Sequence, residues 1–192
     1  MEYIQHHSNI DKENKDQLIG QLSRDKELGE QLLLAAEENN NKRLRALLDT
    51  KSRSGHARAN FHKSGRRAVH LVALHGTGIS LELLLSKGAR PDCIAFGDYS
   101  ESPVHCACIN AKPRVMLEAL ERYGANLKAL DAAGNSALDI LVGGESCFGM
   151  QTNCLDKEEL LQAIEFLMEH QVEPKEKLEG KNLGEKTLSS RF

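Results

Sequence analysis

The chain has 192 residues, of which 40% are hydrophobic and 28% charged, and its formal net charge at pH 7 is −3. No apolar run approaches the roughly 18–20 residues that span a bilayer, and residues 1–15 lack the apolar core of a secretory signal. The five cysteines are an odd number, which argues against a disulfide framework, and the small net charge gives no general attraction to nucleic acid.

These properties indicate a single soluble domain of the cytoplasm, with the nucleus as an additional compartment, and no association with membranes. The proportions of the apolar residues are unusual, because the chain has 28 leucines but only five phenylalanines, three tyrosines and no tryptophan. Strands favour aromatic and β-branched residues, whereas leucine favours helices, so this composition predicts an all-α fold of short packed helices. We also expect the few aromatic side chains to avoid the core, with Tyr99 at a turn and Phe61 in a loop.

Residues 1–27 are rich in polar and charged side chains and are predicted to form a polar flank. The apolar residues between Leu18 and Leu22 have helical spacing, which predicts a short helix over residues 16–22. Residues 32–48 follow with the sequence LLLAAEENNNKRLRALL, in which asparagines separate two leucine-rich stretches. That pattern predicts two helices joined by a turn.

The rest of the chain contains three segments that repeat one another. Residues 67–89 contain RAVHLVALHG and LELLLSKGA, residues 102–125 contain SPVHCAC and MLEALERYGA, and residues 136–170 contain SALDILV and IEFLMEH. Equivalent residues recur at a nearly constant interval, since His70 and His105 are 35 positions apart and Gly88 and Gly124 are 36 apart. An interval of this size predicts a stack of helical repeats.

These motifs resemble the ankyrin repeat, a unit of about 33 residues with a Thr-Pro-Leu-His-x-Ala signature. The resemblance covers residues 28–173, and it implies a solenoid of stacked helix-turn-helix units joined by short hairpin turns. The four repeats that it implies are 28–59, 60–95, 96–129 and 130–173. The sequence departs from the pattern where Arg67 and Ala68 replace Thr-Pro. It departs again in the last repeat, where Asp139 replaces the histidine and a loop is inserted over residues 143–157.

Local signals at the ends of the predicted helices agree with this architecture. Ser102 precedes Pro103, and a hydroxyl at the N-cap followed by a proline at the first helical position favours the start of a helix. Gly88 and Gly124 follow leucine-rich stretches, where a glycine in the left-handed conformation commonly ends a helix. The sequence therefore predicts a helix that begins at residue 103 and two helices that end before these glycines.

The histidines and cysteines of the repeats are candidates for metal ligands or catalytic groups. Cys106 and Cys108 lie about 200° apart on a helix, so they cannot converge on one ion together with His105. The resemblance implies instead that His70 and His105 bond to the backbone of neighbouring turns. The motifs also support no phosphate-binding loop and no catalytic triad. We therefore predict no metal, no cofactor and no enzyme activity.

Residues 51–67 contain six lysine and arginine residues and no acidic residue, which reverses the sign of the charge locally in an acidic chain. Three interpretations stay open: a solvated loop, a contact for an acidic partner protein, and a contact for nucleic acid. Phe61 is the one aromatic residue in the segment, so a stacking platform for nucleic acid is not indicated.

The fold alone does not specify a function. In ankyrin-repeat proteins, partners usually bind the concave face that hairpin tips and first helices form. Transferring those positions to this chain by register gives the predicted partner-binding residues Lys63, Arg66, Leu74, His75, Asp98, Tyr99, Glu101, Ile109, Asn110 and Asn135. Leu74 and Ile109 would be the exposed apolar anchors of this surface, and packing between repeats is the alternative for both.

The sequence thus predicts a non-catalytic adaptor or scaffold that binds a partner protein through this face. One alternative is an inhibitor similar to the IκB type, which masks Rel transcription factors, although the Asp-Ser-Gly-x-x-Ser motif of such inhibitors is absent. Another is a nucleic-acid or chromatin-associated protein that uses residues 51–67. Residues 174–192 are polar without periodicity, which predicts a flexible tail.

Overall fold

A computed structural model of the protein describes residues 2–49, 59–63, 65–95, 100–143 and 155–175, with side chains in the first helix described at residue 17 and from residue 20 onward. This part of the chain contains eight helices and one two-stranded sheet. The helices are α1 (Glu2–Glu37), α2 (Asn41–Asp49), α3 (Ala68–His75), α4 (Gly78–Ser86), α5 (Pro103–Ala107), α6 (Pro113–Arg122), α7 (Ala137–Gly143) and α8 (Lys157–Glu169). The strands are β1 (His62–Lys63) and β2 (Arg66–Arg67). The fold is mostly helical, as the all-α prediction requires. The predicted inserted loop and the predicted tail lie mostly outside the described residues.

The helices form two rows of four. α1, α3, α5 and α7 contact one another in this order, and α2, α4, α6 and α8 form the second row in the same way. Each first-row helix also contacts the helix that follows it in the chain, so four helix pairs stack side by side. α3, α5 and α7 have 8, 5 and 7 residues, which is too short for stability in isolation, so their packing maintains them.

A single apolar core runs through all four pairs. It is built largely from leucine and alanine, and it extends from Leu32 in α1 to Val172 beyond α8. Ala73 and Ala107 are fully buried in neighbouring first-row helices, where a small side chain permits close approach of the helices. Every residue of α5 is buried, because this helix has α3 and α7 on either side and α6 behind it.

The ends of the helices follow the local signals in the sequence. Ser102 is the N-cap of α5, and the helix begins at Pro103 as predicted. Gly88 and Gly124 have φ angles of 85° and 82°, which confirms the prediction of left-handed glycines after α4 and α6. Gln171 adopts the same conformation after α8, with φ of 55°, although a side chain makes this conformation costly.

The N-terminal region differs from its prediction. The sequence predicts a short helix over residues 16–22 within a polar flank, whereas one helix runs from Glu2 to Glu37. The reason is that this stretch has no proline and only two glycines, so nothing ends the helix before the asparagines at residues 39–41. Every side chain from residue 20 to 27 is exposed or half-buried. Among the described helices, α1 included, none is both long enough and apolar enough to cross a bilayer.

The prediction that aromatic side chains avoid the core is wrong at two positions. Phe166 in α8 is 5% exposed and belongs to the core, and Phe61 packs against the core from the segment before β1. A methyl group at Gly29 of α1 would overlap the ring of Phe61, so the ring lies directly on this helix. The preceding Asn60 donates from its side chain to the carbonyl of Gly88 at 2.7 Å, which fastens the segment to the end of α4.

Candidate partner-binding surface

The predicted surface begins at the hairpin formed by β1 and β2. Lys63 and Arg66 are direct partners in this antiparallel pair, so their side chains project from the same face of the hairpin. The Lys63 side chain is 62% exposed, and its ammonium group lies 3.4 Å from the carboxylate of Glu30 on α1. Arg66 is half-buried. The structure thus brings two predicted residues together as a cross-strand pair of like charge.

The two predicted apolar anchors do not form an exposed pair. Leu74, near the end of α3, is 6% exposed, and Ile109 is half-buried against the core. The alternative reading, packing between neighbouring helix pairs, describes them correctly. The physical reason is that α3 and α5 contact each other, and helices this short need nearly all their apolar side chains for that packing.

Asn110 is also buried, contrary to the prediction, because its side chain caps α3 from the next helix pair. Its Nδ2 atom donates to the carbonyl oxygens of Ala73 and Leu74 at 3.1 Å and of Gly76 at 3.2 Å. Its Oδ1 atom accepts the backbone N–H of Lys112 at 2.9 Å. The carbonyls at the end of a helix lack partners within the helix, and Asn110 supplies donors for those of α3. A partner protein therefore has no access to this side chain.

Glu101 and Asn135 stand two residues before α5 and α7, as Arg66 stands before α3. Glu101 is fully buried, contrary to the prediction, because its carboxylate turns inward toward α5, where the Cys106 thiol lies 4.0 Å away. Asn135 is half-buried, and its Nδ2 atom donates to the carboxylate of Asp131 at 3.0 Å. Both side chains therefore turn toward the protein and offer little surface to a partner.

The remaining predicted residues leave a smaller surface than expected. His75 ends α3 and is exposed. Asp98 and Tyr99 lie outside the described residues, as does most of the basic segment, residues 51–58. Of the predicted residues in the described part of the chain, Lys63 and His75 are exposed, and Arg66, Ile109 and Asn135 are half-buried.

His70 joins the start of α3 to the chain that enters the next pair. Its Nδ1 atom accepts the backbone N–H of Arg67 at 3.2 Å, so the proton of the neutral ring sits on Nε2. Nε2 donates to the carbonyl of Cys93 at 3.1 Å. Burial lowers the pKa of His70 to about 4, against the opposing effect of the Cys93 carbonyl, so the ring is neutral at pH 7.

His105 repeats this arrangement one pair further along. Its Nδ1 atom accepts the backbone N–H of Ser102 at 3.2 Å, and its Nε2 atom donates to the carbonyl of Asn135 at 3.2 Å. Burial lowers the pKa of His105 below its ordinary value, although the Asn135 carbonyl and the charge of Asp131 oppose this. The predicted backbone-bonding role of both histidines is confirmed.

Asp139 takes the same place in the last pair with different chemistry. Its carboxylate accepts the backbone N–H of Ser136 at 2.8 Å and the Ser136 hydroxyl at 2.7 Å. It also accepts the backbone N–H of Lys175, at 3.0 and 2.9 Å from its two oxygens. The replacement of histidine therefore preserves the link between the start of a first-row helix and the chain beyond its pair.

The described cysteines are buried thiols. Cys93, Cys106 and Cys108 are free, and burial raises the pKa of each of them. A protonated thiol away from solvent is a poor nucleophile and a poor metal ligand. Within the residues that the structure describes, no group of three histidine, cysteine or acidic side chains could hold a metal ion.

Sequence reasoning missed the exposed apolar side chains of the second row. Ile79 is 70% exposed, Met168 63%, Val115 46% and Leu161 36%. The spacing within α8 contains a signal for this. Ile164 and Leu167 are buried and mark the core face, and Leu161 and Met168 fall outside that face. The repeat pattern by itself did not separate the two faces of this helix.

Comparisons with known proteins add no family to this description. No protein-family model matches the chain, and no curated protein matches it either.

Proposed function

We propose that the protein is a non-catalytic ankyrin-repeat module that binds an acidic surface of a partner protein through the β1–β2 hairpin and the turns beside it. Support for the repeat architecture comes from the two rows of helices and from three equivalent links. These links are made by His70, His105 and Asp139, which recur at intervals of 35 and 34 residues.

Binding without catalysis is favoured because the side chains most suited to acid–base or nucleophilic catalysis are buried or bonded to the backbone. Both histidine rings are held neutral and donate to backbone carbonyls, and the described thiols are buried. A general base must reach the proton that it removes, which a ring fixed between two backbone groups cannot do.

The observation that carries the choice of partner is the cross-strand pair of Lys63 and Arg66. The pair places two positive charges on one face of the hairpin, and the Lys63 side chain is 62% exposed. An acidic group of a partner would be attracted to this face, as the contact of Lys63 with the Glu30 carboxylate illustrates within the chain. The exposed His75 belongs to the same proposed surface.

The test is affinity capture with the full chain, followed by quantification of each captured protein. We expect Lys63→Glu with Arg66→Glu to remove the specific partner while the circular dichroism spectrum stays unchanged. Arg90→Glu with Lys128→Glu is the matched control, because it reverses two exposed charges on other loops and should retain the partner. Retention of the same partner by the hairpin variant would contradict the proposal. A Rel-type factor among the specific partners would favour the IκB-like alternative.

The nucleic-acid alternative predicts a different salt response. Contacts to several phosphates make affinity fall steeply with salt, about in proportion to the number of phosphates neutralised. Titration of labelled single- and double-stranded DNA and RNA at several salt concentrations measures this slope. Tight binding with a steep slope that is lost in the hairpin variant would replace the proposed protein partner with nucleic acid.

A further inference from the structure

The second row of helices differs in charge at its two ends. α2 carries three basic residues and one acidic residue, whereas α8 carries four acidic residues and one basic residue. In the described part of the chain, α2 is the first helix of this row and α8 the last. The row is therefore basic where it begins and acidic where it ends.

Most of the described contacts between successive second-row units have the same polarity. Among the described residues, two ion pairs and one carboxylate–histidine contact place the acidic residue in the earlier unit. These contacts are Asp49 with Lys87, Glu82 with Arg122, and Glu121 with His170. One further pair, Lys112 with Glu159, has the opposite polarity. A further helix placed beyond α8 would meet the acidic side of such a junction.

The outer side of α8 is apolar at its centre. α8 contacts α6 through the side that bears Phe166, whose ring centre lies 4.7 Å from the guanidinium carbon of Arg114. Leu161 and Met168 lie about 140–160° around the helix from Phe166, on the side that faces away from α6. They are 36% and 63% exposed, and the exposed Glu165 borders them. This is the side on which a following helix of the row would pack.

The other end of the row offers a matching surface on α2. Asp49 faces α4 through its ion pair with Lys87, and Arg43 lies about 120° around the helix from Asp49. Arg43 contacts Glu38 at 3.6 Å, but both side chains are substantially exposed, and such surface pairs exchange partners at little cost. The exposed Ala46 beside it leaves room for a larger apolar side chain.

We propose that the α8 end of one copy of the protein docks against the α2 end of a second copy, so that the second row continues from chain to chain. Leu161 and Met168 pack against Ala46 and the aliphatic part of Arg43, and Glu165 pairs with the basic side chains of α2. Because the two surfaces differ, the contact is heterologous and extends into open-ended chains instead of closing as a dimer. This surface is separate from the β1–β2 hairpin, so its test is independent of the proposed function.

Sedimentation of the full chain over a range of concentrations tests the proposal. We expect the average mass to rise with concentration, and the association constant to fall about tenfold between about 0.1 and 1 M salt, because salt screens exposed charges. At about 1 mM even a weak specific contact forms, so a chain that stays monomeric up to that concentration would overturn the proposal.

Charge reversal at each end identifies the surfaces. Glu165→Lys makes the outer side of α8 basic, and Arg43→Glu makes the outer side of α2 acidic. Each variant alone should associate at least about tenfold more weakly, since like charges then face each other. An equimolar mixture restores opposite charges at every junction and should recover the association. Failure of the mixture to associate would overturn the proposed pairing of ends.

Two further variants separate docking from folding. Leu161→Ser with Met168→Ser removes only exposed apolar groups, so the helical signal should stay constant while association weakens about tenfold. Unchanged association in this variant would contradict the docking of α8. Arg90→Glu with Lys128→Glu reverses exposed charges away from both ends and should associate as the wild type does.

Discussion

At the scale of single residues, one structural task is performed by two kinds of side chain. His70 and His105 each accept a backbone N–H through Nδ1 and donate to a carbonyl through Nε2. The carboxylate oxygens of Asp139 act as acceptors, and the chain presents the N–H of Lys175 to them instead of a carbonyl. Histidine and aspartate are therefore not interchangeable at these positions, because the segment that follows each pair has adapted to one of them.

The buried state of His70 makes stability depend on pH. Its pKa is about 4 in the folded chain and about 6.5 in an unfolded one, so the unfolded chain binds the proton first as the pH falls. Its contribution is complete above pH ~6.5 and is lost between there and pH ~4, by about 3 kcal/mol. The lowered pKa of His105 acts in the same direction. Urea unfolding at successive pH values measures this fall.

Two substitutions make the pH prediction specific to the buried ring. His70→Gln keeps a donor and an acceptor but does not titrate, so the free energy of unfolding should fall less steeply with acid. His75→Gln alters an exposed histidine and should leave the pH profile of the wild type unchanged. The prediction fails if the two variants have the same profile.

At the scale of elements, close packing decides where a helix tolerates a side chain. α1 contains Gly20 and Gly29, and an alanine at either position favours the helical backbone by about 1 kcal/mol. Gly20 has open space, with its nearest neighbour, an Arg24 nitrogen, 3.9 Å from an added Cβ, whereas Gly29 lies under the ring of Phe61. The same substitution should therefore have opposite effects at the two positions of one helix.

We expect Gly20→Ala to raise the free energy of unfolding by up to about 1 kcal/mol and Gly29→Ala to lower it by about 1–3 kcal/mol through overpacking. Denaturant unfolding of both variants measures the difference. Adding Phe61→Leu to Gly29→Ala should recover part of the loss, because the smaller side chain makes room. Equal effects of the two alanines would show that Phe61 does not rest on α1.

The residues with positive φ that follow the second-row helices lead to a second prediction. Gln171 has φ of 55° in the place where Gly124 has 82°, and a glycine adopts this conformation without the cost that a side chain adds. We expect Gln171→Gly to stabilise the protein by up to about 1 kcal/mol and Gly124→Ala to destabilise it by about 1–2 kcal/mol. An added Cβ at Gly124 meets no atom within 4 Å, so the loss would come from the backbone alone. Thermal unfolding of both variants tests the signs.

At the scale of the whole molecule, the continuous core and the stacked pairs predict where the chain opens most easily. The central helices α3 to α6 have a neighbour on both sides of their rows, whereas the side chains of residues 20–27 in α1 are exposed or half-buried. In stacked arrays each unit is stabilised mainly by its neighbours, so opening concentrates at the ends.

Native-state hydrogen exchange should reveal this gradient. We expect the helical amides of α3 to α6 to exchange at least about a hundredfold more slowly than those of residues 20–27 in α1, where no side chain is buried and local opening breaks few buried contacts. Peptide-level mass spectrometry of the full chain provides the measurement. Equal protection of residues 20–27 and of α3 to α6 would mean that this part of α1 is packed against other residues.

The sequence by itself determined the features that depend on local chemistry and on period. Ser102 and Pro103 begin a helix, Gly88 and Gly124 end two others, and His70 and His105 each accept the N–H of the residue three positions earlier, because caps and turns are decided within a few residues. The composition likewise indicated a mostly helical chain. α1 is longer than predicted, because a helix with no stop signal continues through polar residues.

Only the tertiary structure decided which side chains remain at the surface. Leu74 and Asn110 were placed on a binding face by register, but neighbouring helices cover them, and burial depends on contacts with residues more than 30 positions away. Met168 is 63% exposed, because α8 is the last helix of its row within the described residues. Burial is a property of the assembled pairs, which a repeat pattern does not specify at the ends of the array.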